Sequence, residues 1–423
     1  MADPYCYMGK IDKIVAMTVE ATGMSCNIGN ICHISIDKDK PPVLAEVVGF
    51  KESKVLLMPY EDIEGIGYGS IVMDTGDKLK IKMSDALIGR TVDALGNPID
   101  GGPPIEGDQY YPINGAPSNP MTRPRIDEPI ELGIKPIDGL LTIGKGQRMG
   151  IFAGSGVGKS TLMGMIARNI KADVNVIALV GERGREVVEF INRDLGEEGA
   201  QRSVLVVATS DQPAMMRSKC ALTATTIAEY FRDQGKDVLL MMDSLTRFAM
   251  AQREIGLSIG EPPVARGYTP SLYTVMPKLL ERAGKFSKGS ITGIYTVLVE
   301  GDDENEPISD TVRGIIDGHI MLSRKIAAQN HYPAIDVLGS VSRLMNDIAP
   351  KDQLKAAGQI RNLMSTYNQN KDLISIGAYK SGSNPELDYA INHIDKINSF
   401  LQQKVDEKYQ MEETISAMLK LID

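Results

Sequence analysis

Residues 152–161 read Phe-Ala-Gly-Ser-Gly-Val-Gly-Lys-Ser-Thr. The apolar stretch 149–152 leads into them, and Leu162, Met163, Met165 and Ile166 follow at helical spacing. A strand, a glycine-rich loop and a helix in that order make a cradle for phosphate. Gly154, Gly156 and Gly158 let backbone N–H groups turn inward around phosphate oxygens, and the helix N-terminus favours negative charge. Lys159 would reach the β- and γ-phosphates, and the Ser160 hydroxyl would ligate Mg²⁺. Gly154, Ser155, Gly156, Val157, Gly158, Lys159, Ser160 and Thr161 therefore form the candidate nucleotide-binding loop. The strict pattern places glycine five positions before Gly158, where this chain has Ala153. A chance glycine-rich loop is the competing reading, and the flanking strand and helix argue against it.

Two carboxylates extend the chemistry. The apolar run 238–242 ends in Asp243 and reads as a fully buried strand of a parallel sheet. A carboxylate at the C-terminal end of such a strand lies where ligands bind in open α/β sheets, and it suits a water-mediated Mg²⁺ contact. A second run, 174–180, leads into Gly181-Glu182-Arg183-Gly184-Arg185-Glu186. Glu182 holds the same topological place as Asp243 and could polarise an attacking water. The residues alone leave a second reading open, a solvated charged loop.

Composition bounds the remaining possibilities. A chain of 423 residues, 43% hydrophobic and 24% charged, has room for two or three soluble domains. It contains no run of 18 apolar residues and opens on no secretory signal, which predicts a cytoplasmic protein. Cys6, Cys26, Cys32 and Cys220 are irregularly spaced and fit reduced thiols; Cys26 and Cys32 with His33 lack a fourth ligand for a tetrahedral metal. The net charge of −9, the absence of Trp and the lack of a dense basic stripe argue against a main role in gripping nucleic acid.

The elements that must position these groups fall into blocks. Residues 1–83 carry short apolar runs at 14–19, 31–36, 43–48, 55–58, 71–73 and 79–83, broken by turn residues, which predicts a small N-terminal β-barrel or sandwich. Residues 84–125 read as a hairpin around Gly96-Asn97 followed by a Pro- and Gly-rich connector. From 126 to 350, strands at 149–152, 174–180, 204–208, 238–242, 291–299 and 320–322 alternate with helical patterns. This is an α/β domain built on a mostly parallel sheet. Residues 351–423 are helical, with Leu354, Ala357, Ile360, Leu363 and Met364 on one stripe and Ile415, Met418, Leu419 and Ile422 on another.

This order of β-barrel, P-loop RecA-like domain and helical tail resembles the α and β subunits of rotary ATP synthases. It is most similar to the flagellar and type III protein-export ATPases. The segments that carry the resemblance are 153–160, 181–187, Met242-Asp243-Ser244-Leu245-Thr246-Arg247-Phe248, Ile259-Gly260-Glu261-Pro262-Pro263, Leu280-Glu281-Arg282-Ala283-Gly284, Thr296 through Asp303, and Asp317-Gly318-His319-Ile320. Val47-Val48-Gly49-Phe50 and Leu56-Leu57-Met58-Pro59 look more flagellar than virulence-type.

The resemblance implies an Mg²⁺-dependent ATPase that couples ATP hydrolysis to chaperone release, unfolding and delivery of export substrates. Lys159 and Ser160 would hold phosphates and metal, Asp243 the metal's water shell, and Glu182 the attacking water. Arg183 and Arg247 would lie near the γ-phosphate, and Tyr332 would pack on adenine. Arg343, in Gly339-Ser340-Val341-Ser342-Arg343, matches an arginine that reaches into a neighbouring subunit's site; its planar charged fork suits charge on a transferring phosphoryl group. A surface ion pair is the other reading of Arg343. The resemblance further implies a homohexamer, a central coiled-coil stalk protein, a stator-like regulatory protein, export chaperones and substrates, a membrane export gate bound peripherally at the inner face of the cytoplasmic membrane, and no nucleic-acid partner. Members usually begin with a longer amphipathic segment that docks the regulatory protein; about ten residues precede the first strand here, so that docking is open or uses another surface. An injectisome ATPase would share fold and chemistry. A non-catalytic ring subunit would replace Glu182, which this chain keeps, and an RNA motor would need a basic, aromatic N-terminal domain.

Overall fold

The computed structural model describes residues 8–36, 39–116, 118–299 and 306–422. Cys6 and the 300–303 part of the expected export motif lie outside the described residues. Six strands, β1 (Met8–Val15), β2 (Thr18–Thr22), β3 (Asn30–Ile34), β4 (Val43–Lys51), β5 (Lys54–Pro59) and β6 (Ile71–Lys78), close a barrel in the order β1-β2-β5-β4-β3-β6. Alternate side chains fill it, among them Ile11, Val19, Cys32, Ile34, Val47, Leu57 and Val72. Cys32 thus lies inside, and burial pushes its thiol up to about 12. His33, the next residue along the strand, faces the other way, so the Cys26, Cys32 and His33 group does not converge.

The barrel is complete at Lys78, because β6 pairs back onto β1. The expected strand at 79–83 therefore has no barrel edge to join: β7 (Lys80–Met83) forms a separate ribbon with β9 (Gln109–Pro112). Between them, the expected hairpin is a tight loop bridging Val92 to Pro98, and β8 (Thr91–Val92) adds itself in parallel to the edge of the central sheet. The barrel is pinned to that domain by Lys219, whose ammonium lies 2.7 Å from the buried Glu46 carboxylate.

A short ribbon of β10 (Pro129–Ile130) and β11 (Ile143–Gly144) encloses α1 (Lys135–Leu140) and leads into the central domain. There the chain runs β12 (Arg148–Ala153), α2 (Lys159–Asn169), β13 (Val174–Val180), α3 (Gly184–Glu189), α4 (Gly196–Gln201), β14 (Ser203–Ala208), α5 (Ala214–Asp233), β15 (Asp237–Asp243) and α6 (Leu245–Ser258). It continues through α7 (Pro270–Leu280), β16 (Gly284–Lys285), β17 (Ser290–Leu298), α8 (Pro307–Ile315), β18 (Gly318–Leu322), α9 (Arg324–Ala327), β19 (Ile335–Ser342) and α10 (Met345–Ile348). The sheet order is β19-β18-β12-β17-β15-β13-β14-β8, parallel except for β19, with β16 hairpinned onto β17. Every residue of β13, Val-Asn-Val-Ile-Ala-Leu-Val, is buried, because helices cover both faces. One face packs on α5 to α8; the other packs on α2 and the tail.

The tail is α11 (Lys351–Ser375), α12 (Pro385–Leu401) and α13 (Met411–Ile422). Ala357, Ile360 and Leu363 of the first predicted stripe and Met418 of the second are buried against the central domain. Asn384 caps α12 by accepting from the N–H groups of Glu386 and Leu387. Among the described residues, no helix is long and apolar enough to cross a membrane.

Candidate functional site

β12 ends at Ala153 and α2 begins at Lys159, so the candidate loop spans the C-terminal edge of the sheet. Gly156 (φ +78°) and Gly158 (φ +87°) adopt left-handed conformations that side-chain-bearing residues rarely take. Val157 between them is buried and anchors the loop to the core. The N–H groups of the first turn of α2 consequently lack intrahelical partners at the point where a phosphate would sit.

Asp243 and Glu182 come to the same edge, because β15 and β13 are adjacent parallel strands. The Lys159 ammonium pairs with the Asp243 carboxylate and lies 3.9 Å from Glu182 Oε1. Asp243 is also fixed by Thr296 of β17, whose hydroxyl donates to Oδ1 at 2.7 Å. Burial pushes the Glu182 carboxyl up to about 7, and the Asp243 charge adds to the shift; Lys159 and Arg247 oppose it. A carboxyl poised near neutrality in a cleft is suited to holding and deprotonating water.

Ser160, Glu182 and Asp243 line a cavity of about 80 Å³. Its donor set is a hydroxyl and carboxylates, oxygen ligands that match Mg²⁺. Among the described residues no group of three or more His, Cys, Asp or Glu could hold a metal. A cation held by Ser160 and Asp243 would be completed by water and phosphate oxygens.

A larger cavity of about 860 Å³ opens on the other side of the loop. Tyr332 stands over it, close enough that a Cβ at Gly158 would lie 3.5 Å from the ring. Much of the remaining wall is the segment from Gln402 to Tyr409, which no periodicity in the sequence marks out. Gln403 is its keystone: the buried amide donates to the Gly133 and Glu407 carbonyls and accepts from the Lys135 N–H, while its own N–H donates to the Tyr332 carbonyl at 3.0 Å. Lys404 belongs to this wall as well.

The arginines do not all converge. Arg247 sits close enough to Glu182 to oppose its shift, and among the described residues its buried Nε has no hydrogen-bond partner. Arg183 points outward, its side chain 78% exposed and 3.6 Å from Glu186, because it precedes α3 where the chain leaves the sheet edge. Arg343 is exposed at the far end of the sheet. β18 runs parallel to β12, and antiparallel β19 pairs Ser342 with Gly318. The Arg343 N–H donates to the Asp317 carbonyl, and Asp317 in turn binds the Arg148 carbonyl where β12 begins. The length of β12, roughly 20 Å at 3.3 Å per residue, separates Arg343 from its own phosphate loop.

Comparison with known proteins agrees with this architecture. The family model described as the ATP synthase alpha/beta family, nucleotide-binding domain, matches residues 133–342. The ATP synthase alpha/beta family, beta-barrel domain, matches 15–76, and the T3SS EscN ATPase C-terminal domain matches 349–420. The flagellum-specific ATP synthase of Bacillus subtilis (strain 168) is 54% identical over 100% of this chain and 96% of its own length. The assembled ATPase EscN of the enteropathogenic E. coli type III secretion system superposes with a TM-score of 0.93 at 47% identity, covering 98% of this chain and 100% of that one. EscN in complex with its central stalk EscO gives 0.91 at 46%, with the same coverage. A phosphate loop, two strand-end carboxylates and this full-length similarity converge on one conclusion: the chain belongs to the family of flagellum-specific and type III secretion ATPases.

Proposed function

We propose that this chain is the ATP-hydrolysing subunit of a flagellar protein-export apparatus. The observation that carries the catalytic part is the meeting of Lys159, Ser160, Glu182 and Asp243 at one sheet edge, between a small oxygen-lined cavity and a larger one walled by Tyr332. The loop 154–161 cradles the triphosphate through backbone N–H groups, and Tyr332 packs on the adenine ring. Ser160 and Asp243 would hold Mg²⁺, which when bound would neutralise charge on the phosphates. Glu182 orients a water whose oxygen attacks the γ-phosphorus. The bond to the β–γ bridging oxygen breaks, leaving ADP and phosphate. Lys159 stabilises the charge from within the chain, and Arg343 does so from the next subunit. Arg183, exposed on the same edge beside Glu186, is placed to meet a group that approaches from outside the chain.

A trans role for Arg343 requires an adjacent copy of the chain, and we read the assembly as a homohexameric ring. Similarity to EscN, solved as an assembled ATPase and with a central stalk, supports the ring and a coiled-coil stalk partner. The regulatory stator-like protein, export chaperones and substrates, and peripheral attachment to a membrane export gate on the cytoplasmic side extend the same reading. The identity to the Bacillus subtilis flagellum-specific enzyme supports a flagellar over an injectisome machine. The test is phosphate release from ATP by purified protein across an Mg²⁺ titration. Hydrolysis that needs the cation and disappears in Lys159→Ala is expected; cation-independent hydrolysis, or full activity in that variant, would overturn the assignment.

A further inference from the structure

The root of Arg343 is held by one buried side chain outside the catalytic edge. Gln147 is 0% exposed. Its Oε1 accepts from the Gly144 N–H at 2.7 Å. Its Nε2 donates to the Asp317 carbonyl and to Ser342 Oγ, each at 3.1 Å. The Asp317 carbonyl is the same oxygen that receives the Arg343 N–H at 3.0 Å. Ser342 Oγ passes its own hydrogen to the Thr142 carbonyl at 2.8 Å. The residue before Arg343 and the carbonyl that binds Arg343 are thus tied to one amide. That amide directly precedes β12, the strand whose other end carries the phosphate loop.

A buried amide is costly unless its hydrogen bonds are made. Here both its donor bonds to oxygen go to the backbone frame of Arg343, and none goes to the chain's own phosphate site. We propose that Gln147 is a positioning residue for hydrolysis in the adjacent subunit, fixing the frame from which Arg343 reaches across. The inference rests on the trans reading of Arg343. Because β12 links Gln147 to Gly154, the frame of the outgoing arginine and the chain's own phosphate loop stand on one rigid strand.

The experiment compares mixed assemblies, at protein concentrations where activity per chain has levelled off. Gln147→Leu alone should lower kcat by about 10- to 100-fold, the scale of a misplaced catalytic group. Affinity for a non-hydrolysable ATP analogue should stay within about two-fold, since the loss belongs to the transition state. Mixing Gln147→Leu with Lys159→Ala chains should restore activity, because the latter supply a correctly framed Arg343. Mixing with the Lys159→Ala/Arg343→Ala double variant should not. Arg343→Ala mixed with Lys159→Ala is the parallel control. If that control shows no recovery, the trans reading falls and this inference with it. If the control recovers and the Gln147→Leu mixture does not, Gln147 acts inside its own site and this inference alone is overturned. Ser342→Ala, a milder cut in the same frame, guards against a Gln147→Leu chain that fails to fold. It should show a smaller loss with the same rescue; no loss, or a loss that mixing leaves in place, would overturn the proposal.

Discussion

Tyr332 and Arg343 flank a single strand, β19, with Tyr332 beside the chain's own phosphate loop and Arg343 at the opposite edge of the sheet. Eight residues of strand span roughly 25 Å, so one chain cannot bring both to one nucleotide. If Arg343 completes the site of a neighbouring copy, ATP turnover per chain should rise with protein concentration and then level off. Dilution series of the wild type measure this. Turnover independent of concentration down to demonstrably monomeric protein would count against the shared site.

The Glu182 carboxyl sets a pH dependence. Its pKa, pushed up to about 7 from an ordinary 4.5, leaves it largely protonated in mildly acidic solution. As a water-orienting base it must be ionised, so kcat/KM should climb through about pH 7, a limb that reports the free enzyme. The stability sign is opposite: the native state holds this proton more tightly than the unfolded chain, so the contribution is present below 4.5 and lost as pH rises through about 7. A pH–rate profile flat from 6 to 8 would exclude Glu182 as the titrating base.

Tyr332→Ala should raise KM for ATP by about ten-fold or more, since base–aromatic stacking contributes roughly 1–3 kcal/mol. kcat should change less, because the stack forms equally in ground and transition states. Tyr332→Phe should stay near wild type, the ring being what packs. An unchanged KM in Tyr332→Ala would move the base elsewhere in the cavity.

The helical tail supplies a separate test. Lys371, Lys380 and Lys396 are exposed on α11, the α11–α12 turn and α12. That turn is held by Asp388, which accepts from the Gly382 N–H and the Tyr379 hydroxyl, so it presents a fixed surface. Reversing the three charges to Glu should weaken binding of a stalk or chaperone partner by about ten-fold, chiefly through association rate, with basal ATPase unchanged. Pull-downs and binding kinetics unaffected by the triple reversal would leave the tail a purely structural role. Lys404 is unsuited to this test, because it lines the cavity beside Tyr332.

What could be read from residues alone follows burial. β13 and β15 are mostly apolar and buried along nearly their whole length because helices cover both faces, and the glycines at 156 and 158 declare their left-handed turns. β19 escaped notice because Ile-Asp-Val-Leu-Gly-Ser-Val-Ser is an edge strand, half polar and interrupted by glycine. β8 is two residues long, too short for any periodicity. Gln403 gives no local signal, since its partners Gly133 and Lys135 lie 270 and 268 positions away. The carboxylates were legible by position, at strand ends beside the loop. The arginines were legible only through family resemblance, and their separation from the loop emerged from strand pairing.

The most direct test of the central claim is Glu182→Gln, assayed for both nucleotide affinity and turnover. The substitution keeps the side chain's size and leaves the 154–161 cradle and Lys159 intact. Affinity for ATP should stay close to wild type while kcat falls by about 10²- to 10³-fold, the scale of losing one preorganised group at the reacting centre. Near wild-type hydrolysis in Glu182→Gln would contradict the account, because the carboxylate facing Lys159 would then have no part in the chemistry.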